Sequence, residues 1–412
     1  MLKFLPPLYF FGVILIPGDT ELGVLILALL GFVVLVQRRA PGAVGLHSFQ
    51  WRSVDSRLSL AFASVFLFKC LSMLWADLPG LALSNAWWHL HFLLWPLVLL
   101  GLHRCGADHK DVERAVATGL MIVAAWFLVF KLSGERWLPF EDAGSSNVGV
   151  LAQMTLFLGT WNLLALSRPG GNLASTDGVL KMLAFVSAWV VIIASTRRLE
   201  LLGLLVVTAT VLVYRLRSRL TFVRLSLVLM GMLALVALMV YLRWEKFATG
   251  FAELSNYFAL RGQDPQVVLS SWGARLEMYR VGWLGFMDHP WLGMSAGARP
   301  YLMQAYGAPG EDVFGHRHFH SEILQTLVEG GLVWLMLLGT AVVYAVRQMV
   351  IKPWGTDREL ALLALGLLGA YAIEGVFSAA LIYGEANGVF VVASAWVWLQ
   401  LRQRRLASQT QE

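Results

Sequence analysis

The chain has 412 residues, of which 58% are hydrophobic and 14% are charged. Soluble domains carry about 25% charged residues, so this composition excludes a soluble globular protein and predicts a membrane protein. The net charge of +6 does not predict nucleic-acid binding, because most of the basic residues lie in alternate loops. Cys70 and Cys105 are the two cysteines, too few for a disulfide framework or a CxxC metal motif.

Apolar runs of spanning length follow one another along most of the chain. A transmembrane helix needs about 20 apolar residues, and twelve runs predict such helices, the first of them short. They are Leu5–Ile16, Leu22–Val36, Leu58–Trp75, Ala86–Leu102, Val112–Leu132, Val148–Leu166, Val179–Ser195, Leu199–Tyr214, Leu220–Leu242, Ile323–Val346, Leu360–Ile382 and Gly388–Leu401. The predicted fold class is an all-α polytopic membrane protein with one long external loop that contains short helices.

Basic residues mark every second loop. Arg38 with Arg39, and Arg215 with Arg217, lie in loops that alternate with acidic or nearly uncharged segments such as Gly18–Glu21. The positive-inside rule assigns the basic loops to the cytoplasm, and an even number of helices then leaves both termini cytoplasmic. The predicted division is 1–242 for nine helices, 243–321 for the external loop, 322–402 for three helices and 403–412 for a cytoplasmic tail.

The external loop is predicted to contain one amphipathic helix over Trp272–Met287, which Pro290 terminates. Its apolar positions at helical spacing are Leu276, Tyr279, Trp283 and Phe286. From Arg243 to His320 the loop holds seven basic and seven acidic residues, so its formal charge is zero with neutral histidines. Any role for its arginines must therefore come from individual placement.

Two arginine sites on the external side run against the charge bias. Arg197 and Arg198 interrupt apolar sequence at a tight turn, where they either reach the lipid headgroups or bind an anionic ligand. Arg275 lies near the start of the predicted loop helix. It pairs with Glu277 or Asp288, faces water, or has a functional role.

His320 precedes a helix for which Ser321 is the predicted N-cap. An imidazole titrates near neutral pH, so it serves either as a proton acceptor or as a packed interfacial residue. His316, His318 and His320 alternate, and in an extended segment their rings would share one face. No neighbouring cysteine or Asp-x-Asp pair supports a divalent site, and the prediction is that no metal is bound.

Lys69 and Glu374 are charged residues inside predicted helices. They either form an internal polar contact or mark a transport path.

Three motifs in this order resemble those of the bacterial O-antigen ligase family. They are Thr196-Arg197 at the outer end of a helix pair, Arg275 with Pro290-x-x-Gly293 in the loop, and His320-Ser321 with Glu329-Gly330-Gly331. The resemblance extends to about twelve helices, cytoplasmic termini and one large periplasmic loop. Two positions depart from the family pattern. Trp334 stands where a second glycine is usual, which affects local packing, and Arg198 follows Arg197 where a small residue is usual, so either arginine is a candidate.

The resemblance implies transfer of O-antigen polysaccharide from undecaprenyl diphosphate to a sugar hydroxyl of lipid A-core, at the periplasmic face of the bacterial inner membrane. Arg197 and Arg275 would bind the diphosphate and stabilise the leaving group, because a guanidinium stays charged and binds two oxygens at once. They would replace the metal of many glycosyltransferases, so neither metal nor cofactor is expected. His320 would be the general base, a role that contributes roughly 10²–10⁴-fold. Substrate-binding roles are predicted for Arg198, Arg280, Arg299, Arg317 and His318.

Several alternatives remain open at this point. Direct in-line attack inverts the anomeric centre, whereas a retaining route needs a carboxylate nucleophile such as Glu322 or Glu329. An O-antigen polymerase uses the same donor, but such enzymes usually have two sizeable periplasmic loops, and here one loop is long. A protein O-oligosaccharyltransferase is a further enzymatic alternative. A lipid or sugar transporter is the non-enzymatic one, and it would require broken helices in paired halves or acidic residues in mid-membrane.

Overall fold

The computed structural model describes residues 2–12, 19–37, 49, 51–133, 148–167, 174–195, 198–216, scattered positions from 223 to 241, 244–261, 264–307, 318–377, 381 and 383–409. Every regular element in these ranges is helical, which confirms the all-α class. In chain order the helices are α1 (Leu5–Gly12), α2 (Asp19–Gln37), α3 (Ser53–Ser72), α4 (Pro79–Trp87), α5 (Leu90–Cys105), α6 (His109–Ser133), α7 (Val148–Leu166), α8 (Thr176–Ala194), α9 (Arg198–Leu216), α10 (Trp244–Leu260), α11 (Pro265–Leu269), α12 (Ser271–Asp288), α13 (Arg299–Tyr306), α14 (Glu322–Val346), α15 (Arg358–Phe377) and α16 (Gly384–Gln409).

Six spans in the described ranges are long and apolar enough to cross a bilayer. They are Ser53–Trp75, His109–Phe130, Val148–Leu166, Thr176–Ala194, Glu322–Trp354 and Arg358–Val376. The total of twelve crossings stays a prediction, because the run predicted at Leu220–Leu242 lies largely outside the described residues.

The run predicted as one helix over Ala86–Leu102 is divided between α4 and α5. The carbonyl of Trp88 accepts a hydrogen bond from Asn387 Nδ2 at 2.9 Å. The amide of Phe92 donates to the carbonyl of His89 at 3.1 Å, rather than to that of Trp88 as a continuous α-helix would require. The carbonyl that a continuous helix would pair with Phe92 is therefore paired with α16 instead, at the point where α4 ends.

Contacts between helix ends define two ends of the bundle. At one end the start of α3 meets α16, where Trp398 Nε1 donates to Asp55 at 2.8 Å, and Arg404 donates to Asp357 at 3.0 Å. At the other end the amide of Leu381 donates to Glu322 at 3.0 Å. We call the first the basic end, because loops rich in arginine and lysine adjoin it, and the second the loop end.

The described part of the external loop forms four helices, α10, α11, α12 and α13. The sequence predicted short helices in this loop and located one of them. The predicted helix itself is confirmed as α12, which starts after the N-cap Ser270 and ends one residue before His289.

The predicted apolar face of α12 is only partly the buried one. Trp283 is 52% exposed, whereas Phe286 is buried. The face that packs against the core carries small residues, because Gly282 lies against Leu324 and Phe319, and Gly285 lies against Leu302. These glycines let α12 approach α13 and α14 closely, so the packing face cannot be recognised from hydropathy alone.

Candidate active site at the loop end

Helix α14 is broken at Gly331, where φ is 61° and ψ is −159°. A break exposes backbone groups that the helix would otherwise pair. The loop before α13 pairs them: the amides of Met294 and Ser295 donate to the carbonyls of Val328 and Glu329 at 2.8 and 2.9 Å. The amides of Leu332 and Val333 donate to the carbonyls of Pro290 and Trp291 at 2.8 and 3.1 Å. The second and third family motifs therefore join through their backbones.

Glycine is required at this junction. Gly293 has a φ of 63°, and a Cβ there would lie 2.5 Å from the nitrogen of Gly330. A Cβ on Gly331 would lie 2.3 Å from the carbonyl oxygen of Trp291. The Pro290-x-x-Gly293 and Gly330-Gly331 motifs thus have a shared physical cause, which is close contact between two chain segments.

His320 adopts the left-handed conformation, with a φ of 52°. Its amide donates to Nδ1 of His318 at 3.1 Å, and its carbonyl accepts from the hydroxyl of Tyr279 at 2.9 Å. The intervening Phe319 is fully buried among α12, α13 and α14. Two side chains and one buried ring therefore hold the backbone of His320 in a conformation that non-glycine residues adopt rarely.

The hydrogen bonds of His318 determine its neutral tautomer. Because Nδ1 accepts from the amide of His320, the ring proton lies on Nε2, which faces the hydroxyl of Tyr383 at 3.2 Å. The rings of His318 and His320 are 4.3 Å apart between centroids. His316 lies outside the described residues.

A group of metal-ligand type occurs elsewhere in the described part of the chain. His109, Glu113 and Glu359 bring their ligand atoms within 4.8 Å of one another at the basic end. The ammonium of Lys181 lies 2.9 Å from the Glu113 carboxylate and forms a salt bridge with it. This carboxylate therefore already has a positively charged partner within the protein.

Arg275 lies on α12 one turn before Tyr279, and its guanidinium carbon is 5.9 Å from the ring centroid of Trp272. Burial raises the pKa of the Tyr279 phenol, and the charge of Arg275 opposes that rise. Tyr279 therefore connects the two predicted residues, because the charge of Arg275 acts on its phenol and its hydroxyl donates to the carbonyl of His320.

The acids considered as partners of Arg275 have other partners. Glu277 accepts from Arg261 Nε at 2.9 Å and from Arg280 Nε at 3.1 Å, and Asp288 accepts from the hydroxyl of Tyr306. Burial raises the pKa of Glu277, but the hydrogen bonds from Arg280, Arg261 and Tyr257 outweigh it and bring the pKa down to about 2.

The other predicted substrate-binding residues differ in their surroundings. Arg280 is held by Glu277 and by the carbonyl of Tyr306. Arg299 is buried, with Nη2 3.7 Å from the sulfur of Met278. Arg317 lies outside the described residues, and His318 adjoins His320 as described above.

Arg197 lies outside the described residues, and Arg198 is described as the first residue of α9 by its backbone alone. Gly203, near the start of α9, packs against α15 and α7. A Cβ added there would lie 3.0 Å from side-chain carbons of both Ile373 and Leu156. Ile373 is near the end of α15, and that end leads to Leu381 and Glu322. The start of α9 is thus at the loop end of the bundle, as His320 is.

Lys69 meets Glu329 rather than Glu374, which corrects the pairing considered from the sequence. The ammonium of Lys69 binds Glu329, and the two side chains are 2% and 3% exposed. Lys69 Nζ also lies 3.9 Å from the ring centroid of Trp334. Trp334 covers Gly330 and stacks on Phe68, so the departure from the family's glycine pattern adds packing at the break.

An apolar cavity of about 330 Å³ opens beside Glu322, two residues after His320. Side chains of α3, α5, α14, α15 and α16 line it, including Phe62, Phe92, Ala341 and Tyr371. Apart from Glu322 and the Tyr371 hydroxyl, its lining is hydrocarbon or backbone, so it suits an apolar chain.

Sequence reasoning missed the residues that hold the site together. Tyr279 was predicted as part of an apolar face, and Gln325 and Tyr383 were not predicted at all. A usable signal existed for Lys69 and Glu329: each is a charged residue six residues from the loop-side end of a predicted apolar run, Leu58–Trp75 and Ile323–Val346. Opposite charges at equal depth in a membrane tend to pair.

The O-antigen ligase family matches residues 183–339, from within α8 to within α14. No curated protein matches the chain. The matched segment includes the α8–α9 turn, the external loop, His320 and the break at Gly331, the same features on which the resemblance was based. Over residues 183–339, this chain is similar to the O-antigen ligase family.

Proposed function

We propose that this protein transfers a finished O-antigen polysaccharide from undecaprenyl diphosphate to a sugar hydroxyl of lipid A-core. The match to the O-antigen ligase family supports ligase- or polymerase-type glycosyl transfer in lipopolysaccharide synthesis, and the proposal selects the ligase. The reaction would take place at the periplasmic face of the inner membrane, and the proposal assigns the loop end of the bundle to that face.

The observation that carries the proposal is the constrained backbone of His320. Residues held in rarely populated conformations cluster at active sites, where the surrounding structure pays for their strain. Here His318 and Tyr279 bind the two backbone groups of His320. In the proposal His320 accepts the proton of the acceptor hydroxyl, and the resulting alkoxide attacks the anomeric carbon in line. The glycosidic bond to the phosphate breaks as the new one forms, so the anomeric centre inverts.

Arg275 and Arg197 are proposed to bind the diphosphate, with Arg198 as the alternative to Arg197. The leaving diphosphate gains negative charge in the transition state, and preorganised cations stabilise that charge most where water is excluded. This arrangement needs no metal, because the guanidiniums supply the positive charge. The proximity of Arg275 to Tyr279, and of Tyr279 to His320, supports placing the base and one guanidinium at the same substrate.

Arg317 and His318 are proposed to contact the acceptor, whose core region carries phosphates. Arg280 and Arg299 are already engaged with Glu277 and Met278. Their contribution to substrate binding would therefore come through the shape of the loop.

The donor lipid is proposed to lie in the apolar cavity beside Glu322, with its diphosphate toward His320. Trp283, Met287, Trp291 and Leu292 support this, because each is a large apolar side chain that is exposed on the loop; we propose that together they form a lipid-facing patch. Trp291 is bonded to the break in α14. The break is nine residues into a spanning helix, or about 13 Å at 1.5 Å per residue, so the patch would lie in the outer leaflet.

Deletion of the gene tests the function. A ligase mutant would display an intact core without polymer on a lipopolysaccharide gel, while lipid-linked polymer accumulates. A core that carries a single repeat unit would instead identify a polymerase, and unchanged lipopolysaccharide would favour a transporter or a protein O-oligosaccharyltransferase. Complementation with His320→Ala should reproduce the deletion, and Trp354→Ala, which alters a side chain at the basic end, should restore the polymer.

A further inference from the structure

The buried Lys69–Glu329 pair is joined to the backbone beside His320. Glu329 binds the ammonium of Lys69 through one carboxylate oxygen and the Nε2 group of Gln325 through the other. The other end of the Gln325 amide, Oε1, accepts from the amide of Phe319 at 3.0 Å. Four groups from α3, from α14 and from the segment before α14 thus form one continuous chain.

This chain has a fixed direction. The amide of Phe319 can only donate, so the oxygen of Gln325 must face it, and the NH₂ group of Gln325 must face Glu329. Glu329 must accept on both oxygens, which a carboxylate does and a glutamine side chain does not. Lys69 supplies the positive charge that keeps the carboxylate favourable inside the protein.

We infer that Lys69, Glu329 and Gln325 are positioning residues, and that this hydrogen-bond chain sets the orientation of His320 through the amide of Phe319. The expected effect of these residues on kcat rests on the proposed function. Its structural part is independent of the reaction, because Phe319 immediately precedes the left-handed residue His320 and has a fully buried ring.

The chain also reaches the family's glycine motifs. The carbonyl of Glu329 accepts from the amide of Ser295, and the hydroxyls of Ser72 and Ser295 are 3.1 Å apart. Lys69 and Ser72 lie within one turn of α3, so this turn contacts both the hydrogen-bond chain and the loop that fills the break in α14. Glu329 thereby has a role other than that of a nucleophile.

A second buried pair provides a matched control. Lys181 and Glu113 are 2.9 Å apart, are 6% and 1% exposed, and lie at the basic end of the bundle. Lys181→Met leaves a carboxylate with less positive charge around it, as Lys69→Met does. The two variants therefore share the cost of disturbing a buried ion pair and differ in their connection to Phe319.

The experiment measures donor kcat and KM for purified protein in nanodiscs, with lipid-linked polysaccharide as donor and lipid A-core as acceptor. Lys69→Met should lower kcat by about 10²-fold, because small displacements of a catalytic group cost that much, and the donor KM should stay unchanged. Glu329→Gln should also lower kcat, since an amide cannot accept from both neighbours. The double variant should recover about tenfold over the worse single variant, because directly coupled residues are not additive. Lys181→Met should lose thermal stability and keep the kcat of the folded protein.

Hydrogen exchange provides a readout that needs no activity. Peptides that contain Phe319 should exchange faster in Lys69→Met and not in Lys181→Met. Gln325→Leu should have the same effect, and it leaves the ion pair intact if Lys69→Met fails to fold. Equal exchange and equal kcat for Lys69→Met and Lys181→Met would overturn the inference. An inactive wild type with the predicted exchange pattern would overturn the proposed function and leave the positioning chain standing.

Discussion

The amide of Leu332 donates a hydrogen bond to the carbonyl of Pro290 across 2.8 Å, so the external loop supplies an acceptor that the broken helix α14 lacks. Non-helical backbone at membrane depth is tolerated where it is buried in protein. The loop therefore supplies hydrogen-bond partners to the backbone of a spanning helix where that helix is broken. His320 lies two residues before the first residue of this helix, Glu322. This arrangement joins the loop and the membrane bundle at the proposed active site.

Gly331→Ala should destabilise the protein by about 3 kcal/mol or more. The conformation of Gly331 is essentially restricted to glycine, and a Cβ there would meet the carbonyl of Trp291. The measurement is the thermal midpoint of the purified protein together with polymer display in cells. Gly339→Ala is the control, since its Cβ would enter open space in the same helix. Equal stability of the two variants would show that the break is not required.

Tyr279→Phe should lower kcat about fivefold, because one hydrogen bond is worth about 1 kcal/mol and this one holds the carbonyl of His320. The phenyl ring keeps the packing of α12, so the thermal midpoint should change little. Tyr301→Phe, at a half-exposed position on α13, is the control and should leave kcat unchanged. A Tyr279→Phe protein with the kcat of the wild type would separate this hydrogen bond from catalysis.

The external loop should loosen in acid through Glu277. Its pKa in the folded protein is lowered from 4.5 to about 2, so ionised Glu277 stabilises the fold. That stabilisation is complete above pH 4.5 and is lost as the pH falls toward about 2. Between pH 5 and pH 3, hydrogen exchange of α10 and α12 should therefore slow less than the intrinsic exchange rate does, because the loop opens more often.

Glu277→Gln is the matched variant for this pH experiment. It should show faster exchange already at pH 5, because Arg261 and Arg280 lose their shared carboxylate. From pH 5 to pH 3 its exchange should then slow as much as the intrinsic rate does. An identical pH dependence in the two proteins would assign the acid response to other groups.

Trp283→Ala combined with Trp291→Ala should raise the donor KM and leave kcat nearly unchanged. Both rings are exposed on the proposed lipid-facing patch, so their loss removes uniform binding of the lipid rather than transition-state contacts. Phe4→Ala, which removes a comparably exposed ring near the N-terminus, is the control. A fall in kcat at constant KM would contradict a role in lipid binding.

Local sequence signals were sufficient to predict the position of most helices, and of α12 in particular. Ser270 caps its start and Pro290 follows its end, so the predicted span over Trp272–Met287 differs by one residue at each end. Its buried face was missed because Gly282 and Gly285 contribute little to a hydropathy pattern, although they permit the closest contacts.

Long-range pairing explains what the sequence did not reveal about the site. Lys69 and Glu329 are separated by 260 positions, and neither has a local pattern that names its partner. The break at Gly331 interrupts a run whose hydropathy is continuous, and it is stabilised by a loop about forty residues upstream. The motifs that resemble the family include Glu329 and Gly331. The contacts that require these residues, with Lys69 and with the loop, are visible only in the structure.

The most direct measurement of the central claim is single-turnover transfer by purified protein in nanodiscs, with defined lipid-linked polysaccharide and lipid A-core. The wild type should form ligated product without added divalent metal. His320→Ala should bind the donor normally but form product at a rate lower by roughly 10²–10⁴-fold, and Arg275→Ala should bind the donor more weakly. Transfer by His320→Ala at the rate of the wild type would contradict the account.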